Sequence, residues 1–489
     1  MANDQYDAIV VGSGGGGLGA SIILAKAGKR TLLLERHYQV GGYITSFKRK
    51  GFSFDPAAGG LLFGILTRMP LDMVEMTQRV DLNLIKPKQG VRIHCPKADI
   101  VLGDGMSTSQ LVGQFWDLKP DEASSRIEKT LEEAGKIMSD EGMQKVPLLD
   151  WLRENFTHPG PILLFGILSF FIVILPPSKA PANIASLLTF MGSLDICYPK
   201  GGVISIANAY AQAFGLLGGE LRTRTTVAKI LTKDGKVEGV ELEDGEKILS
   251  KIVISDVGLG NTVKLVGEDL LEKELVDKIM RLKPTLSCFG VFLGLDYIPD
   301  IPSRTMSVAS ADVNELERVY EDLDRGKFYE SDKDPIPLFV HTPSLEDPDL
   351  APPGKTAMSI LVWAPYKLAK ADWKDKKEYY SDRIIKAAEN RLLPGLSKHI
   401  VYKEVATPLT YERFVGKLDG AVEGFAYSVE QDPIDGDVLP IEGLYCVGDT
   451  VVGGAIGVPG SVMSGVRCAQ RIIDPEAAKW QLKLGLFGM

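Results

Sequence analysis

A glycine-rich turn near the start of the chain is the feature that most limits its fold. The stretch YDAIVVGSGGGGLGASIILAKAGKRTLLLE places five glycines within residues 12–17, directly after an apolar run. The run at 6–11 predicts a buried strand, residues 18–27 predict a helix of small residues that ends at Gly28, and RTLLLE predicts a second strand. This order of strand, turn, helix and strand is typical of a βαβ unit.

Three of the glycines form a dinucleotide fingerprint. Gly12, Gly14 and Gly17 give G-x-G-x-x-G between strand and helix, which permits the turn, the approach of a pyrophosphate and close packing of the helix. The helix N-terminus offers free N–H groups to phosphate. Glu35 ends the second strand and can accept hydrogen bonds from a ribose 2′-hydroxyl, which a 2′-phosphate cannot donate. The adenosine half is therefore predicted to be that of NAD or FAD, not NADP.

Further strands are predicted far along the chain. Residues 227–254 hold three β-rich runs separated by two Asp-Gly pairs, which predict a three-stranded meander. GLYCVGD at 443–449 predicts a short strand before a glycine-rich turn and a helix. In VISDVGLGNTVKLVG at 253–267, valine replaces the third glycine, so we interpret this segment as a returning strand of the dinucleotide domain rather than a separate NAD site.

The sequence between these segments has a different residue pattern. Residues from about 66 to 198 are helix-like, and residues from about 268 to 440 mix strands with proline-rich loops. We therefore expect a dinucleotide domain that a second domain interrupts twice.

Charge and cysteine content exclude several classes of protein. The net charge of −9 argues against a nucleic-acid partner, because phosphate binding needs clustered Lys and Arg. The five cysteines include no CxxC and the five histidines lie far apart, so neither a disulfide framework nor a metal site is predicted. Nothing resembling a signal peptide precedes the first strand, and we expect a cytoplasmic protein, in part peripheral on a membrane.

One apolar run leaves alternatives open. Residues 162–175 carry no charge and lie between prolines. As a helix the run would be about 21 Å long, short of the ~30 Å needed to span a bilayer. It suits a helix that dips into the membrane, which we expect as a peripheral contact, or the wall of an apolar tunnel, or a buried core helix. The tail at 476–489 is interpreted as a surface tail or a peripheral anchor.

Two quoted segments resemble a known family. RHYQVGGYITSFKRKGFSFDPAAGG, which follows Glu35, and GLYCVGDTVVGGAIGVPGSVMSGVRCAQRI, near the C-terminus, are similar to the fingerprints of the flavin-dependent amine oxidase superfamily. Further blocks at 198–230, 253–258 and 345–356 resemble its phytoene dehydrogenase-related branch, which holds carotenoid desaturases, carotenoid isomerases and retinol saturases. The resemblance implies FAD as the cofactor.

The implied fold is α/β, with a discontinuous Rossmann-like FAD-binding domain and an inserted α+β substrate domain. The expected boundaries are 1–65, 199–267 and 441–475 for the FAD-binding domain, and 66–198 and 268–440 for the domain that faces substrate and membrane.

The resemblance also assigns site residues. It places Glu35 on the FAD ribose, the main chain of Val227 at adenine, Asp449 beside the ribityl–pyrophosphate region, and Gly457 with Val458 under the flavin ring. A helix that begins there points its first N–H groups at the flavin ring and would stabilise the negative charge of a reduced flavin. The predicted cofactor-binding residues are Gly12, Ser13, Gly14, Gly16, Gly17, Glu35, Arg36, Gly41, Gly42, Tyr43, Val227, Gly448, Asp449, Gly457 and Val458.

Two positions depart from the family pattern. Tyr43 stands where many relatives have arginine or alanine, and Ala57 stands where the FDxG pattern has glycine. No catalytic residue is assigned. Asp195 and Tyr198 lie where an interdomain cleft is expected, but a structural role is favoured for both.

We expect an FAD-dependent oxidoreductase that acts on carbon–carbon bonds of a lipophilic isoprenoid or carotenoid-like substrate, by desaturation, saturation or isomerisation. The alternatives are a flavin amine oxidase and a non-catalytic prenyl- or lipid-binding protein of the same fold. The redox direction and the electron partner stay open.

Overall fold

The computed structural model describes residues 6–57, 62–102, 141–185, 196–331, 333–432, 434–436, 438–451 and 457–475. The predicted tail at 476–489 and the candidate Asp195 lie outside these ranges. The strands are β1 (Ala8–Val11), β2 (Thr31–Leu34), β3 (Phe47–Arg49), β4 (Phe52–Phe54), β5 (Leu62–Phe63), β6 (Leu84–Ile85), β7 (Val91–Cys95), β8 (Ala98–Leu102), β9 (Ile196–Pro199), β10 (Glu220–Arg222), β11 (Val227–Lys233), β12 (Lys236–Leu242), β13 (Lys247–Leu249), β14 (Val253–Ser255), β15 (Ser287–Leu295), β16 (Arg304–Ser307), β17 (Leu338–His341), β18 (Thr356–Ala364), β19 (Ile400–Ala406) and β20 (Leu444–Cys446). The α-helices are α1 (Gly15–Lys26), α2 (Gly64–Met73), α3 (Leu148–Asn155), α4 (Pro159–Leu168), α5 (Ile204–Leu216), α6 (Leu259–Val266), α7 (Lys273–Met280), α8 (Val313–Asp324), α9 (Trp373–Arg391), α10 (Pro408–Val415) and α11 (Gly457–Ile473).

A parallel five-stranded sheet forms the first structural layer. Its strand order is β10-β2-β1-β14-β20, with every neighbouring pair parallel. The central strands β1, β2 and β14 are buried on both faces, as their continuous apolar sequences require. The strands come from three separated parts of the chain, and the predicted α/β fold class is confirmed. The exact domain boundaries stay a prediction.

The register of this sheet brings distant residues to one edge. Val11 pairs with Leu34 on one side and with Ser255 on the other, and Ser255 pairs with Cys446. Because parallel strands end at the same edge, the residues that follow them converge there. The predicted meander of β11, β12 and β13 is present, whereas β14, at the end of the same segment, joins the parallel sheet.

Helices α1 and α11 pack closely against each other behind this edge. A Cβ on Gly465 would collide with the Gly16 carbonyl oxygen, and one on Gly19 would collide with the Val462 carbonyl oxygen. Glycine at these positions therefore lets the two helix backbones approach within contact distance. Both helices begin at the carboxyl edge of the parallel sheet.

A second sheet contains seven strands in the order β19-β15-β18-β17-β16-β7-β8. Strands β15 and β18 are buried along their whole length and belong to the largest apolar core of the described chain. The prediction that residues 66–198 are helix-like is wrong for β7 and β8. Strand β7 alternates buried and partly exposed residues, and the two strands complete the sheet beside β16.

The apolar run at 162–175 is a core segment. It forms the end of α4 and one π-helical turn at Ser169–Val173, and only Ile162 and Ile172 in it are partly exposed. The Trp363 Nε1–H donates to the Phe170 carbonyl oxygen at 2.7 Å. Protein covers most of the side chains of this run, and the membrane contact through 162–175 stays a prediction. Within the described ranges no helix combines the length and apolarity that a membrane crossing requires.

Candidate active site

A cavity of about 560 Å³ lies at the carboxyl edge of the parallel sheet. Thirteen of the fifteen predicted cofactor-binding residues line it; Gly16 and Gly17 do not. These two glycines stand behind the wall, where they allow other backbone to approach. A Cβ on Gly17 would collide with the Gly12 carbonyl oxygen, and a Cβ on Gly16 would lie 2.6 Å from the Gly448 nitrogen.

The glycine-rich turn leaves room and N–H groups for an anion. Gly12 has φ +95°, a conformation that residues with a side chain rarely adopt. Helix α1 follows with Gly14 at its N-cap and no side chain that caps it. Its first N–H groups therefore face the cavity with the positive end of the helix dipole, as a pyrophosphate needs.

Glu35 is fixed beside this turn. Its Oε2 accepts hydrogen bonds from the Ser13 nitrogen at 3.0 Å and from Ser13 Oγ at 2.5 Å. Its Oε1 accepts from the His37 nitrogen at 2.8 Å. Each carboxylate oxygen retains acceptor capacity, so the group suits a ribose hydroxyl. Val227, at the start of β11, lies on the same cavity wall.

The predicted segment at 36–43 continues the wall. Arg36 is exposed and its Nη2 donates to the Phe414 carbonyl oxygen at 3.4 Å. Gly41 has φ +115° and its nitrogen donates to the Ser13 carbonyl oxygen at 2.9 Å, which ties the segment to the glycine turn. Gly42 has φ +58°. The Tyr43 hydroxyl donates to the Gly420 carbonyl oxygen at 3.1 Å, so the departure at this position anchors the segment that follows α10.

Asp449 meets a lysine that the sequence reasoning missed. Lys417 forms an ion pair with Asp449, and its Nζ lies 4.7 Å from the centre of the Tyr43 ring. Gly448, with φ +99°, precedes Asp449 and its nitrogen donates to Ser464 Oγ in α11 at 2.7 Å. Lys417 follows α10 in a segment with no fingerprint, and only tertiary packing brings it here.

Two further carboxyl groups line the cavity and were also missed. Burial raises the pKa of Asp256 to about 8; Asp449 and Glu35 add to the increase, while the Gly17 N–H and Lys417 oppose it. Burial likewise raises the pKa of Glu423 to about 8, with Asp449 adding and Lys417 and the Gly457 N–H opposing. Asp256 directly follows a buried parallel strand, which was a usable signal. Glu423 follows no such pattern.

The start of α11 completes the polar part of the wall. Gly457 has φ +75° and is the first residue of the helix, followed by Val458. Both line the cavity, beside Glu423 and Lys417. The predicted helix N-terminus therefore faces the cavity.

A different part of the wall is apolar. It comes from the seven-stranded sheet and from the segment after α4, and none of its members carries a charge. The segment at 162–175 thus contributes to a tunnel wall, which was one of its predicted alternatives. The apolar wall residues are Phe171, Ile172, Ile174, Met306, Phe339, Leu361 and Trp363.

Tyr198 lies outside the cavity wall. It is buried, and its hydroxyl donates to Asp55 Oδ2 at 2.5 Å, while Ser46 Oγ donates to Asp55 Oδ1 at 2.5 Å. His341 Nδ1 lies 4.0 Å from Asp55 Oδ2. This network joins β9, β17 and the segment after β4, which agrees with the favoured structural role of Tyr198.

The polar wall fits a dinucleotide. The glycine turn provides space and N–H groups for a pyrophosphate, Glu35 provides acceptors for a ribose, and the helix α11 N-terminus faces the rest of the cavity. Among the residues that the structure describes, no group of three or more His, Cys, Asp or Glu side chains could hold a metal ion.

Comparison with known proteins identifies the family and several relatives. The family model described as flavin containing amine oxidoreductase matches residues 16–473. Prolycopene isomerase 2, chloroplastic, of an Oncidium hybrid cultivar is 30% identical, over 96% of this chain and 84% of the relative. Phytoene desaturase (neurosporene-forming) of Rhodobacter capsulatus is 27% identical, over 96% and 94%. All-trans-retinol 13,14-reductase of Danio rerio is 26% identical, over 96% and 86%.

Solved structures share the fold. An oxidoreductase from Methanosarcina mazei superposes with a TM-score of 0.68 at 19% identity, over 95% of this chain and 99% of that one. At this identity the likeness concerns the fold alone.

Proposed function

Because the chain belongs to the flavin containing amine oxidoreductase family, we propose that it is an FAD-dependent oxidoreductase that acts on carbon–carbon bonds of a lipophilic isoprenoid or carotenoid-like substrate. The observation that carries this proposal is one cavity with two kinds of wall: a dinucleotide cradle and an uncharged apolar surface. Relatives that isomerise prolycopene, desaturate phytoene or reduce retinol support the substrate class.

The polar wall would hold FAD. The first turn of α1 would bind the pyrophosphate, Glu35 the adenosine ribose, and Val227 the adenine. Asp449 and Lys417 would flank the ribityl chain, and Gly457 with Val458 would lie at the flavin ring. Bound FAD supplies two-electron chemistry as an acceptor or donor of hydride.

The apolar wall would bind the substrate. Side chains such as Phe171, Trp363 and Leu361 can bury a polyene chain and exclude water, and they orient the chain by shape because they carry no charge. Trp363 is held by its bond to the Phe170 carbonyl oxygen, so this wall is preorganised.

Glu423 is the group that we propose to hold the proton. Desaturation removes a hydride and a proton from two carbons, and saturation adds both, so a proton must leave or arrive near the reacting bond. Glu423 lines the cavity beside Gly457 and its pKa is raised to about 8 by burial. A carboxyl group with a pKa near the working pH can donate a proton or accept one.

The proposed function is tested by anaerobic spectroscopy of the purified, FAD-loaded protein. Phytoene, prolycopene and all-trans-retinol are added in detergent micelles. Loss of the oxidised flavin absorbance identifies a donor substrate, and recovery of that absorbance from the reduced protein identifies an acceptor. Conversion of prolycopene without a net change in the flavin absorbance identifies isomerisation.

Other outcomes would favour the alternatives. Peroxide release with putrescine, and no reaction with the three polyenes, would show an amine oxidase. A colourless protein that ignores added FAD but binds the polyenes would show a lipid-binding protein.

A further inference from the structure

The carboxyl group of Asp256 lies against the glycines of the predicted phosphate cradle. Asp256 directly follows β14, which stands between β1 and β20. A Cβ on Gly14 would lie 2.6 Å from Asp256 Oδ2, and Cβ atoms on Gly16 and Gly448 would each lie 2.7 Å from Oδ1. The carboxyl group therefore packs against the backbone of these glycines, next to the N-terminus of α1.

One oxygen of this group is buried without a hydrogen-bond partner. Asp256 Oδ2 has no partner in the structure. An ionised oxygen in such a position is costly, because desolvation penalises the charged form more than the Gly17 N–H and Lys417 favour it. Protonation of the carboxyl group removes this cost.

We propose that Asp256 is a further cofactor-binding residue, which holds a proton while the FAD pyrophosphate is bound. This inference rests on the proposed function, because it requires FAD in the cradle. A pyrophosphate on the first turn of α1 would bring two negative charges close to the carboxyl group. Like charges that share a site disfavour ionisation, so the bound cofactor and an ionised Asp256 exclude each other.

The charged groups around Asp256 strengthen this conflict. Glu35 after β2 and Asp449 after β20 are both acidic and oppose its ionisation. Lys417 after α10 favours ionisation but is paired with Asp449. The N-terminal end of α1 also favours the charged form through the Gly17 N–H, and burial outweighs these contributions.

The test is the FAD dissociation constant as a function of pH, measured on the apoprotein by quenching of flavin fluorescence. In the free wild-type protein, Asp256 ionises near pH 8 and must take up a proton again when FAD binds. The dissociation constant should therefore rise about tenfold between pH 7 and pH 9. Asp256→Asn keeps the shape and removes the ionisation, so we expect a flat profile. Glu423→Gln removes the other cavity carboxyl with a similar pKa, and we expect the rise to remain.

A second measurement needs no variant. Calorimetry of FAD binding to the wild type at pH 9, in buffers of different ionisation enthalpy, should show uptake of about one proton per FAD, and almost none at pH 6.5. A flat wild-type profile, a rise that persists in Asp256→Asn, or a rise that only Glu423→Gln removes would each overturn the inference while leaving FAD binding intact. Absence of FAD binding at every pH would overturn the proposed function as well.

Discussion

Four carboxyl groups and three cationic side chains, those of Arg36, Lys264 and Lys417, line the cavity. Glu35, Asp256, Glu423 and Asp449 line it, and Lys417 pairs with Asp449. Asp256 and Glu423, with pKa values of about 8, are mostly protonated at neutral pH. The negative charge of the carboxyl groups that line the cavity is therefore about half of what their number suggests. Proton binding at two residues thus bears on both cofactor binding and chemistry.

Glu423 gives a prediction at the level of one residue. We expect Glu423→Gln to lower kcat by about 10² to 10⁴-fold, the usual contribution of a positioned acid or base. The wild-type rate should show an apparent pKa near 8. If Glu423 donates the proton, the rate falls above that pH because the acid is lost; if it accepts the proton, the rate rises up to that pH. The measurement is kcat against pH with whichever polyene reacts.

A nearby carboxylate provides the control. Glu430 lies seven positions along the same segment, is exposed and forms an ion pair with Lys179 at 2.9 Å. Glu430→Gln should leave the rate and the pH profile unchanged. If the kcat of Glu423→Gln still changed with pH near 8, Glu423 would not be the group that holds the proton.

The sequence predicted the glycines better than the acids. Gly12, Gly14 and Gly17 could be predicted because their spacing is typical of one backbone conformation, and few residue types other than glycine fit that conformation. Glu423 could not, because its role depends on burial beside Asp449 and the start of α11, which are separated from it in the chain. Asp256 could be predicted only in part, because the sequence shows that it follows a strand but does not show its contact with the glycine turn.

The segment from α4 to Leu175 shows how one element can serve a core and a cavity. Gly166 lets α4 approach α8, since a Cβ there would lie 2.8 Å from Val313 Cγ2. The π-helical turn then directs Phe171, Ile172 and Ile174 to the cavity wall. Apolar sequence alone could not separate a membrane helix from a core helix, because the difference lies in what covers it. The covering residues include Val313 of α8, Phe339 of β17 and Trp363 of β18.

A matched pair of substitutions tests this element. Ile172 and Ile162 are both partly exposed members of the segment, but only Ile172 lines the cavity. We expect Ile172→Asn to lower kcat/KM for a polyene by about 5- to 150-fold, because burying an amide in an apolar wall costs on the order of 1 to 3 kcal/mol. FAD affinity should not change.

Ile162→Asn is the control and should keep both activity and FAD affinity. Equal losses in the two variants, or loss of FAD in either, would mean that the segment acts through stability. Thermal unfolding of both variants separates these outcomes.

At the scale of the whole molecule, the site depends on segments far apart in the chain. The turn after β1, the segment that follows α10 and the start of α11 all meet at one cavity. The fold class could be predicted because β1, α1 and β2 are contiguous and strongly patterned. The place of β7 and β8 could not, since their partner β16 lies about 200 residues away and local sequence does not report it.

This convergence predicts that FAD stabilises the distant segments together. At an FAD concentration 100 times its dissociation constant, the free energy of unfolding should rise by about 2.7 kcal/mol. Hydrogen exchange should slow in α1, in residues 416–424 and in the first turn of α11. Adenosine diphosphate fills only the adenosine and pyrophosphate part, so it should slow exchange in α1 but leave 416–424 and α11 largely unchanged. Equal protection of all three segments by adenosine diphosphate would contradict the placement of the flavin half at Glu423 and Gly457, because no contact beyond the pyrophosphate would then be needed to order them.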